Sequence, residues 1–192
     1  MKTQILTPRL ILRAPQMEDA VVLKEFEKRN QAHLAQWESP REMDVDYHLS
    51  LTAWKKECDE GRSARFFLFP KDHPSSLIGM CNFTQIFRGA FQACYLGYKI
   101  DQEYEGQGLM FEALESLISY IFKELHLHRI MSNYMPVNAR SAKLLQRLGF
   151  DIEGYAKDYL RINNRWEDHV LTALSCEKWL RKQTSNSVNI FK

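Results

Sequence analysis

The chain has 192 residues, of which 45% are hydrophobic and 26% are charged, and its formal net charge is +2. This size and apolar content predict one globular domain with a full core. The small net charge argues against a protein that binds DNA through its phosphates alone, although it is compatible with an RNA-bound partner. No segment is long and uncharged enough to span a bilayer. We therefore expect a cytoplasmic protein with no direct DNA binding and no membrane partner.

The four cysteines are scattered along the chain and show none of the paired spacings of a zinc site. Reduced, partly buried thiols in a cytosolic protein are the simplest interpretation. We therefore expect no bound metal.

The first quarter of the chain predicts a strand followed by helices. An apolar run between two arginines predicts a strand at 9–13, and apolar residues at helical spacing behind the acidic pair Glu18-Asp19 predict a helix over 17–29. The irregular segment that follows leads into a helix predicted over 47–60. Irregular segments of this kind often shape substrate pockets, but the tryptophans near this one are more simply explained by packing.

Three β-rich segments come next, at 65–69, 77–83 and 93–100. They are separated by turn residues, and their succession predicts an antiparallel meander. Gly97 interrupts the third strand, which indicates either a bulge or a close approach of another backbone.

A glycine turn then precedes a long amphipathic helix that starts at Leu109. A strand at 129–135, stopped by Pro136, and a helix at 138–148, closed by Gly149, follow it.

Segments 158–162 and 167–174 predict a hairpin around Asn163-Asn164. The order of elements predicts an α+β domain with a mixed sheet. We expect a single domain over 1–182 and a loosely ordered tail over 183–192.

The glycine turn is the first candidate for chemistry. Gly106 and Gly108 flank Gln107 just before the helix, so unpaired N–H groups and the positive end of the helix dipole would converge on one anion. The turn lacks the Gly-Lys-Ser/Thr of a Walker loop and the third glycine of a dinucleotide fingerprint. A second group lies one strand further on, where Asn138 would cap its helix and Ser141 lies one turn inside. If the two helices flank one sheet, both groups face one cleft.

These motifs resemble the GCN5-related N-acetyltransferase (GNAT) superfamily, whose motif Q/R-x-x-G-x-G/A holds the pyrophosphate of acetyl-CoA. Gly106 and Gly108 fit this motif, whereas Glu103 replaces its leading polar or cationic residue. The resemblance covers nearly the whole chain and is strongest to ribosomal-protein-alanine N-acetyltransferases of the RimJ/RimL type, closest to the RimJ branch. The matching blocks are TPRLILRAP, GYKIDQEYEGQGLMFEAL, NYMPVNARSAKLLQRLGF and EGYAKDYLRINNRWEDHVLTAL.

The resemblance implies the GNAT acyl-CoA N-acyltransferase fold, a mixed, mostly antiparallel twisted sheet with helices on both faces and a splayed central strand pair. It implies acetyl-CoA as cosubstrate, with the pantetheine arm in the opening between the splayed strands. The residues implied to bind it are Tyr98, Lys99, Ile100, Gly106, Gln107, Gly108, Leu109, Met110 and, near the thioester, Asn138.

Acetyl transfer from a thioester to an amine needs a neutral amine, a polarised carbonyl and a proton for the leaving thiolate. Many relatives place a tyrosine beyond the equivalent of Asn138 as the acid, but Leu145 stands there, which makes Ser141 the candidate. The backbone N–H of Lys99 or Ile100 is the predicted contact to the carbonyl oxygen. The candidate bases are Glu103, Asp158, Asp168 and His169.

The predicted activity is acetyl transfer from acetyl-CoA to the N-terminal α-amino group of a protein. The N-terminal alanine of a small-subunit ribosomal protein is the expected acceptor, and the ribosome is a candidate partner. Two alternatives remain open from the sequence. One is acetylation of a small amine such as a polyamine, an amino sugar or an antibiotic, and the other is a non-catalytic CoA-binding module on the ribosome.

Overall fold

One eight-stranded sheet organises the fold in the computed structural model, which describes residues 4–39 and 45–188. The order of strands across the sheet is β1-β2-β3-β4-β5-β6-β8-β7. All neighbouring strands are antiparallel except β5 and β6, which are parallel. The strands are β1 Gln4–Leu6, β2 Leu10–Arg13, β3 Ala64–Pro70, β4 Gly79–Phe87, β5 Ala93–Ile100, β6 Arg129–Met131, β7 Asp151–Ile162 and β8 Arg165–Ser175.

Helices cover both faces of this sheet, as predicted. Leu23 and Phe26 of one helix pack with Leu51 of the next against Phe67 and Met80, which forms a smaller core. The larger core lies on the opposite face, where the other three helices pack on the sheet. None of the helices in the described ranges has the length and apolar character needed to cross a bilayer. The helices are α1 Ala20–Leu34, α2 Tyr47–Asp59, α3 Leu109–Glu124, α4 Ala139–Leu148 and α5 Cys176–Val188.

The parallel pair at the centre of the sheet opens after a few residues. Pairing of β5 with β6 ends at Tyr95 and Met131. The chain then turns toward β8, where Tyr134 forms a single bridge with Val170. This divergence confirms the splayed central pair. It also corrects the strand predicted over 129–135, which ends at Met131 because its continuation leaves β5.

The prediction that Gly97 marks either a bulge or a close backbone approach also needs correction. The ladder between β4 and β5 is regular at Gly97, and the register shift lies in β4 between Thr84 and Phe87. The close backbone approach is at Gly79 instead, where an added Cβ would lie 2.8 Å from the Lys99 carbonyl oxygen. A pattern of single strands does not show which glycine faces a neighbouring backbone.

Two segments that the sequence pattern left irregular are helical in the structure. α1 continues to Leu34, which makes the start of the irregular segment helical, while its residues 40–44 lie outside the described residues. The tail predicted after Lys182 is helical as far as Val188, and residues 189–192 lie outside the described residues. Trp179 explains this helix, because its ring is fully buried and its Nε1 donates to Ser119 Oγ at 3.1 Å.

Candidate functional site

The turn before α3 exposes backbone donors. Gly106 and Gly108 have φ values of +73° and +77°, a region that favours glycine. An added Cβ would meet nothing within 4 Å at Gly106 and only an Arg9 nitrogen, at 3.7 Å, at Gly108. Backbone conformation and not space therefore requires glycine here. Gly108 is the N-cap of α3 and supplies no side-chain cap, so the first N–H groups of the helix remain available for an anion.

Around this turn the backbone, and not the side chains, is available for contact with a ligand. Leu109 and Met110 are only 6% exposed and belong to the core. The Gln107 side chain folds back and donates from Nε2 to the Glu103 carbonyl oxygen at 2.9 Å. These three residues can therefore contribute main-chain N–H groups to a phosphate.

The open edge of β5 presents alternate residues to the gap. The Leu96 carbonyl accepts a hydrogen bond from Ser132 Oγ on the side of β6, at 2.9 Å, whereas the Asp101 N–H donates to Ile78 on the side of β4. Backbone groups alternate between the two sides of an antiparallel strand. The N–H groups of Tyr98 and Ile100 therefore face the opening, whereas the Lys99 N–H faces β4 and cannot contact a ligand in the gap.

The hydroxyl groups of Tyr98 and Ser141 meet beside this opening. Their oxygens are 2.6 Å apart. The Asn138 carboxamide caps α4 by accepting from the Ser141 N–H at 3.0 Å, which fixes Ser141 in the first turn of the helix. The structure thus brings Asn138 and Ser141 to the strand that carries Tyr98, as the sequence predicts. Leu145 is buried in the core, 1% exposed, so a tyrosine at that position would need a different packing.

Burial raises the pKa of Tyr98 far more than its contact with Ser141 lowers it. Tyr98 therefore keeps its proton at any working pH. Either hydroxyl can donate in this contact, and when Tyr98 donates, Ser141 Oγ is the acceptor. The Ser141 hydrogen is then free to point into the opening.

The opposite face of β5 carries a charged cluster. Lys99 is on this face because side chains alternate along a strand, and its Nζ lies 2.9 Å from Glu27 and 3.1 Å from Glu38. The segment after α1 reaches the tip of the β7–β8 hairpin, where Ser39 Oγ donates to the Arg161 carbonyl at 2.7 Å. The Asn163 amide also donates to the Ala35 carbonyl. α1 and the hairpin therefore border this face of β5.

Of the candidate bases, His169 has the most suitable surroundings. It is 5% exposed, its Nδ1 lies 3.0 Å from the Glu167 carbonyl, and its ring is 5.5 Å from the ring of Tyr159. Tyr159 contacts Tyr95 at the point where β5 and β6 diverge. An Nδ1–H that donates to a carbonyl leaves Nε2 unprotonated, so His169 can accept a proton near the opening.

The other candidate bases have less suitable surroundings. Asp168 accepts from the Tyr155 hydroxyl at 2.6 Å and from the Asp158 N–H at 2.9 Å. These hydrogen bonds hold the pKa of Asp168 below its ordinary value, which makes it a weaker base. Asp158 is exposed in an irregular part of β7 with φ +48°. Glu103 lies in the 3-10 turn before the glycines and is exposed.

A match to a known family decides what this arrangement is. Residues 9–151 match the acetyltransferase (GNAT) domain. The chain belongs to the GNAT family. It is 44% identical over 185 residues to the ribosomal protein uS5 alanine N-acetyltransferase of Escherichia coli K12, a match that covers 93% of both chains.

Solved structures agree with this assignment. The ribosomal-protein-S5-alanine acetyltransferase of Vibrio fischeri is 34% identical with a TM-score of 0.86, covering 93% of this chain and 99% of that one. RimJ of Mycobacterium smegmatis, solved with CoA-disulfide, is 28% identical with a TM-score of 0.76, covering 88% and 82%. This GNAT protein is therefore an acetyl-CoA-dependent N-acetyltransferase. Its uncapped helix start and open strand edge fit a long thioester arm that ends in a pyrophosphate.

Sequence reasoning missed Asp101 in this GNAT enzyme. Asp101 directly follows β5 and is 2% exposed. It accepts hydrogen bonds from Arg29 Nε, from Asn30 Nδ2 at 3.0 Å and from the Glu103 N–H at 3.1 Å. It therefore ties α1 to the start of the glycine turn. An aspartate at the N-cap of a 3-10 turn was the available signal, since such residues accept from nearby N–H groups.

Asp101→Asn is expected to lower the free energy of unfolding by about 2 kcal/mol at pH 7, because the partly exposed Arg29 loses its buried partner. Burial would raise the pKa of Asp101, but hydrogen bonds from Asn30, Arg29 and Glu103 outweigh it and keep the pKa low. The stabilisation is therefore present above the unfolded pKa and is lost as pH falls through the folded pKa. Urea unfolding at pH 7 and below pH ~4 should show the difference shrinking in acid; an equal difference at both values would contradict this role.

Proposed function

We propose that this enzyme transfers acetyl from acetyl-CoA to the N-terminal alanine of ribosomal protein uS5, in the cytoplasm and on or near the ribosome. The observation that carries the proposal is the 44% identity to the E. coli uS5 enzyme over 93% of both chains. The match spans nearly the whole chain and is therefore not limited to the segment that carries the cofactor turn.

A cleft between α1 and the hairpin is the proposed acceptor site. Glu27 and Glu38 place two carboxylates on its wall, and both contact Lys99 Nζ. An N-terminal ammonium group would be attracted to this wall before it loses its proton. The cleft lies on the face of β5 opposite Ser141, so the amine would approach and the thiolate would depart on different sides of the strand.

An α-amine is easier to deprotonate than a lysine. Its pKa is about 8, against about 10.4 for lysine, so it needs roughly two units less help from a base. His169 is the proposed base, acting from Nε2 directly or through one water. In the reaction the N–C bond forms, the amine proton passes to His169, and the C–S bond breaks.

Ser141 is the proposed donor to the leaving group. A thiol with a pKa near ~8.5 is a mild leaving group, so a single hydroxyl hydrogen bond can assist its departure. Tyr98 orients that hydroxyl, and the Tyr98 or Ile100 N–H at the open edge is the proposed contact for the carbonyl oxygen.

The test is acetylation of synthetic peptides. One peptide carries the N-terminal residues of uS5 from the same organism and includes an internal lysine. Matched peptides carry an N-terminal serine or a blocked N-terminus, and spermidine serves as a small-amine acceptor. We expect the alanine peptide to be acetylated only at its α-amine, and the blocked peptide not at all.

Each other outcome contradicts a specific part of the proposal. A higher kcat/KM for spermidine than for the alanine peptide would indicate a small-amine enzyme. Binding of CoA without transfer to any peptide would indicate a non-catalytic module. If mass spectrometry of cells lacking the gene shows that a ribosomal protein other than uS5 loses its acetyl group, the acceptor is that protein instead.

A further inference from the structure

The turn between β1 and β2 is hydrogen-bonded to the first turn of α3, which follows the glycine turn. Thr7 Oγ1 and the Arg9 N–H both donate to Glu112 Oε1, at 2.6 and 2.7 Å. Glu112 lies in the first turn of α3. The Leu10 N–H donates to Thr7 Oγ1 at 2.9 Å, so the turn itself is closed by the same threonine.

The Arg9 guanidinium connects this turn to the glycine loop. Its Nε donates to Glu112 Oε2 at 2.7 Å, and its Nη1 donates to the Gln107 carbonyl oxygen at 3.0 Å. One planar group thus holds both a carboxylate and a peptide carbonyl, a geometry that the single ammonium of lysine cannot reproduce.

The contact of Arg9 with the Gln107 carbonyl acts on a peptide unit of the proposed pyrophosphate site. The Gln107 carbonyl and the Gly108 N–H belong to one peptide unit and point in opposite directions. A cation bound to the carbonyl polarises the unit and strengthens the N–H as a donor. The leading position of the family motif holds Glu103 instead of a polar or cationic residue. Arg9 therefore places a guanidinium against the loop carbonyl, where the motif itself supplies no cation.

Glu112 would otherwise oppose anion binding. A carboxylate in the first turn of α3 lies near the proposed phosphate site, and its pKa is low, because hydrogen bonds from Thr7 and Arg9 outweigh the effect of burial. The ion pair with Arg9 neutralises this charge.

We propose that Arg9 and Glu112 are positioning residues that orient and polarise the pyrophosphate-binding loop from behind. The inference rests on the cofactor site of the family and is independent of the acceptor. Their effect is confined to donors that carry a pyrophosphate.

The experiment compares two acyl donors with the full-length enzyme. Acetyl-CoA carries the pyrophosphate, and S-acetylpantetheine carries the same thioester arm without phosphates. Arg9→Ala is expected to lower kcat/KM about tenfold with acetyl-CoA, as loss of a charge-assisted hydrogen bond predicts, and by less than about twofold with S-acetylpantetheine. The matched control is Arg88→Ala, because Arg88 also donates to a backbone carbonyl, that of Leu125 after the other end of α3. This control should leave both values unchanged.

Two further variants keep the proposal testable if Arg9→Ala folds poorly. Arg9→Lys retains the charge but loses the two-pronged contact, so it should keep most of the defect with acetyl-CoA. Glu112→Gln removes the carboxylate charge but also weakens the contacts that hold Arg9, so we expect a smaller defect than that of Arg9→Ala, with the same donor dependence. Equal losses with both donors, or wild-type kcat/KM for Arg9→Lys, would overturn the proposal. Calorimetric titration of CoA into the wild type and the variants measures the loss of cofactor binding without an acceptor. A wrong choice of acceptor would therefore not affect this measurement.

Discussion

Ser141→Ala is expected to lower kcat about a hundredfold while the KM for acetyl-CoA stays within about twofold of wild type. The reason is that Ser141 is the hydroxyl held at the opening by two neighbours. Asn138 fixes its backbone from the helix cap, and Tyr98 contacts its oxygen at 2.6 Å. The side chain would act on the departing thiolate and not on the bound ground state. Steady-state kinetics with varied acetyl-CoA measures both constants.

A double-mutant cycle with Tyr98→Phe separates catalysis from packing. Phenylalanine keeps the partly buried ring and removes only the hydroxyl. Because Tyr98 acts through Ser141, Tyr98→Phe should lower kcat about tenfold in the wild-type background and have little further effect in Ser141→Ala. Additive losses would mean that the two hydroxyls act independently. Undiminished kcat in Ser141→Ala would remove the serine from the mechanism.

Gly79→Ala is expected to destabilise the fold by about 3 kcal/mol and to weaken CoA binding. A Cβ at this position would lie 2.8 Å from the Lys99 carbonyl oxygen and 3.4 Å from Ile100 Cα. Both atoms are backbone, so β4 and β5 must move apart to make room. That movement displaces the edge proposed to hold the pantetheine arm. Urea unfolding and calorimetric titration of CoA measure the two effects.

Gly97→Ala is the matched control for stability, because it lies in the same β4–β5 ladder. Nothing lies within 4 Å of an added Cβ there, and φ is not in the left-handed region. We expect its unfolding free energy to be unchanged or slightly raised, since alanine is less flexible than glycine in the unfolded chain. Similar losses of stability in both variants would show that contact with Lys99 is not the cause.

Local patterns predicted many of the elements in this enzyme. Ala20, Leu23 and Phe26 are buried on one side of α1, so the helical spacing of apolar residues was informative, although Val21 from the same pattern is exposed. The two asparagines at 163 and 164 both have positive φ, as a two-residue hairpin turn requires. Trp179 shows the opposite case. Its segment looks polar and weakly patterned, and it becomes a helix because one buried ring anchors it to α3.

The sequence by itself determined the cofactor turn and the helix cap at Asn138. Both depend on residues a few positions apart, where glycine conformation and side-chain capping act within one turn of chain. Only the tertiary structure decided which groups surround them. Tyr98 reaches Ser141 from 43 residues away and Arg9 reaches Gln107 from 98 residues away. Such contacts depend on strand order and on the direction in which each side chain leaves its strand. Neither is encoded in local spacing, because sheet pairing joins segments that are distant in the chain.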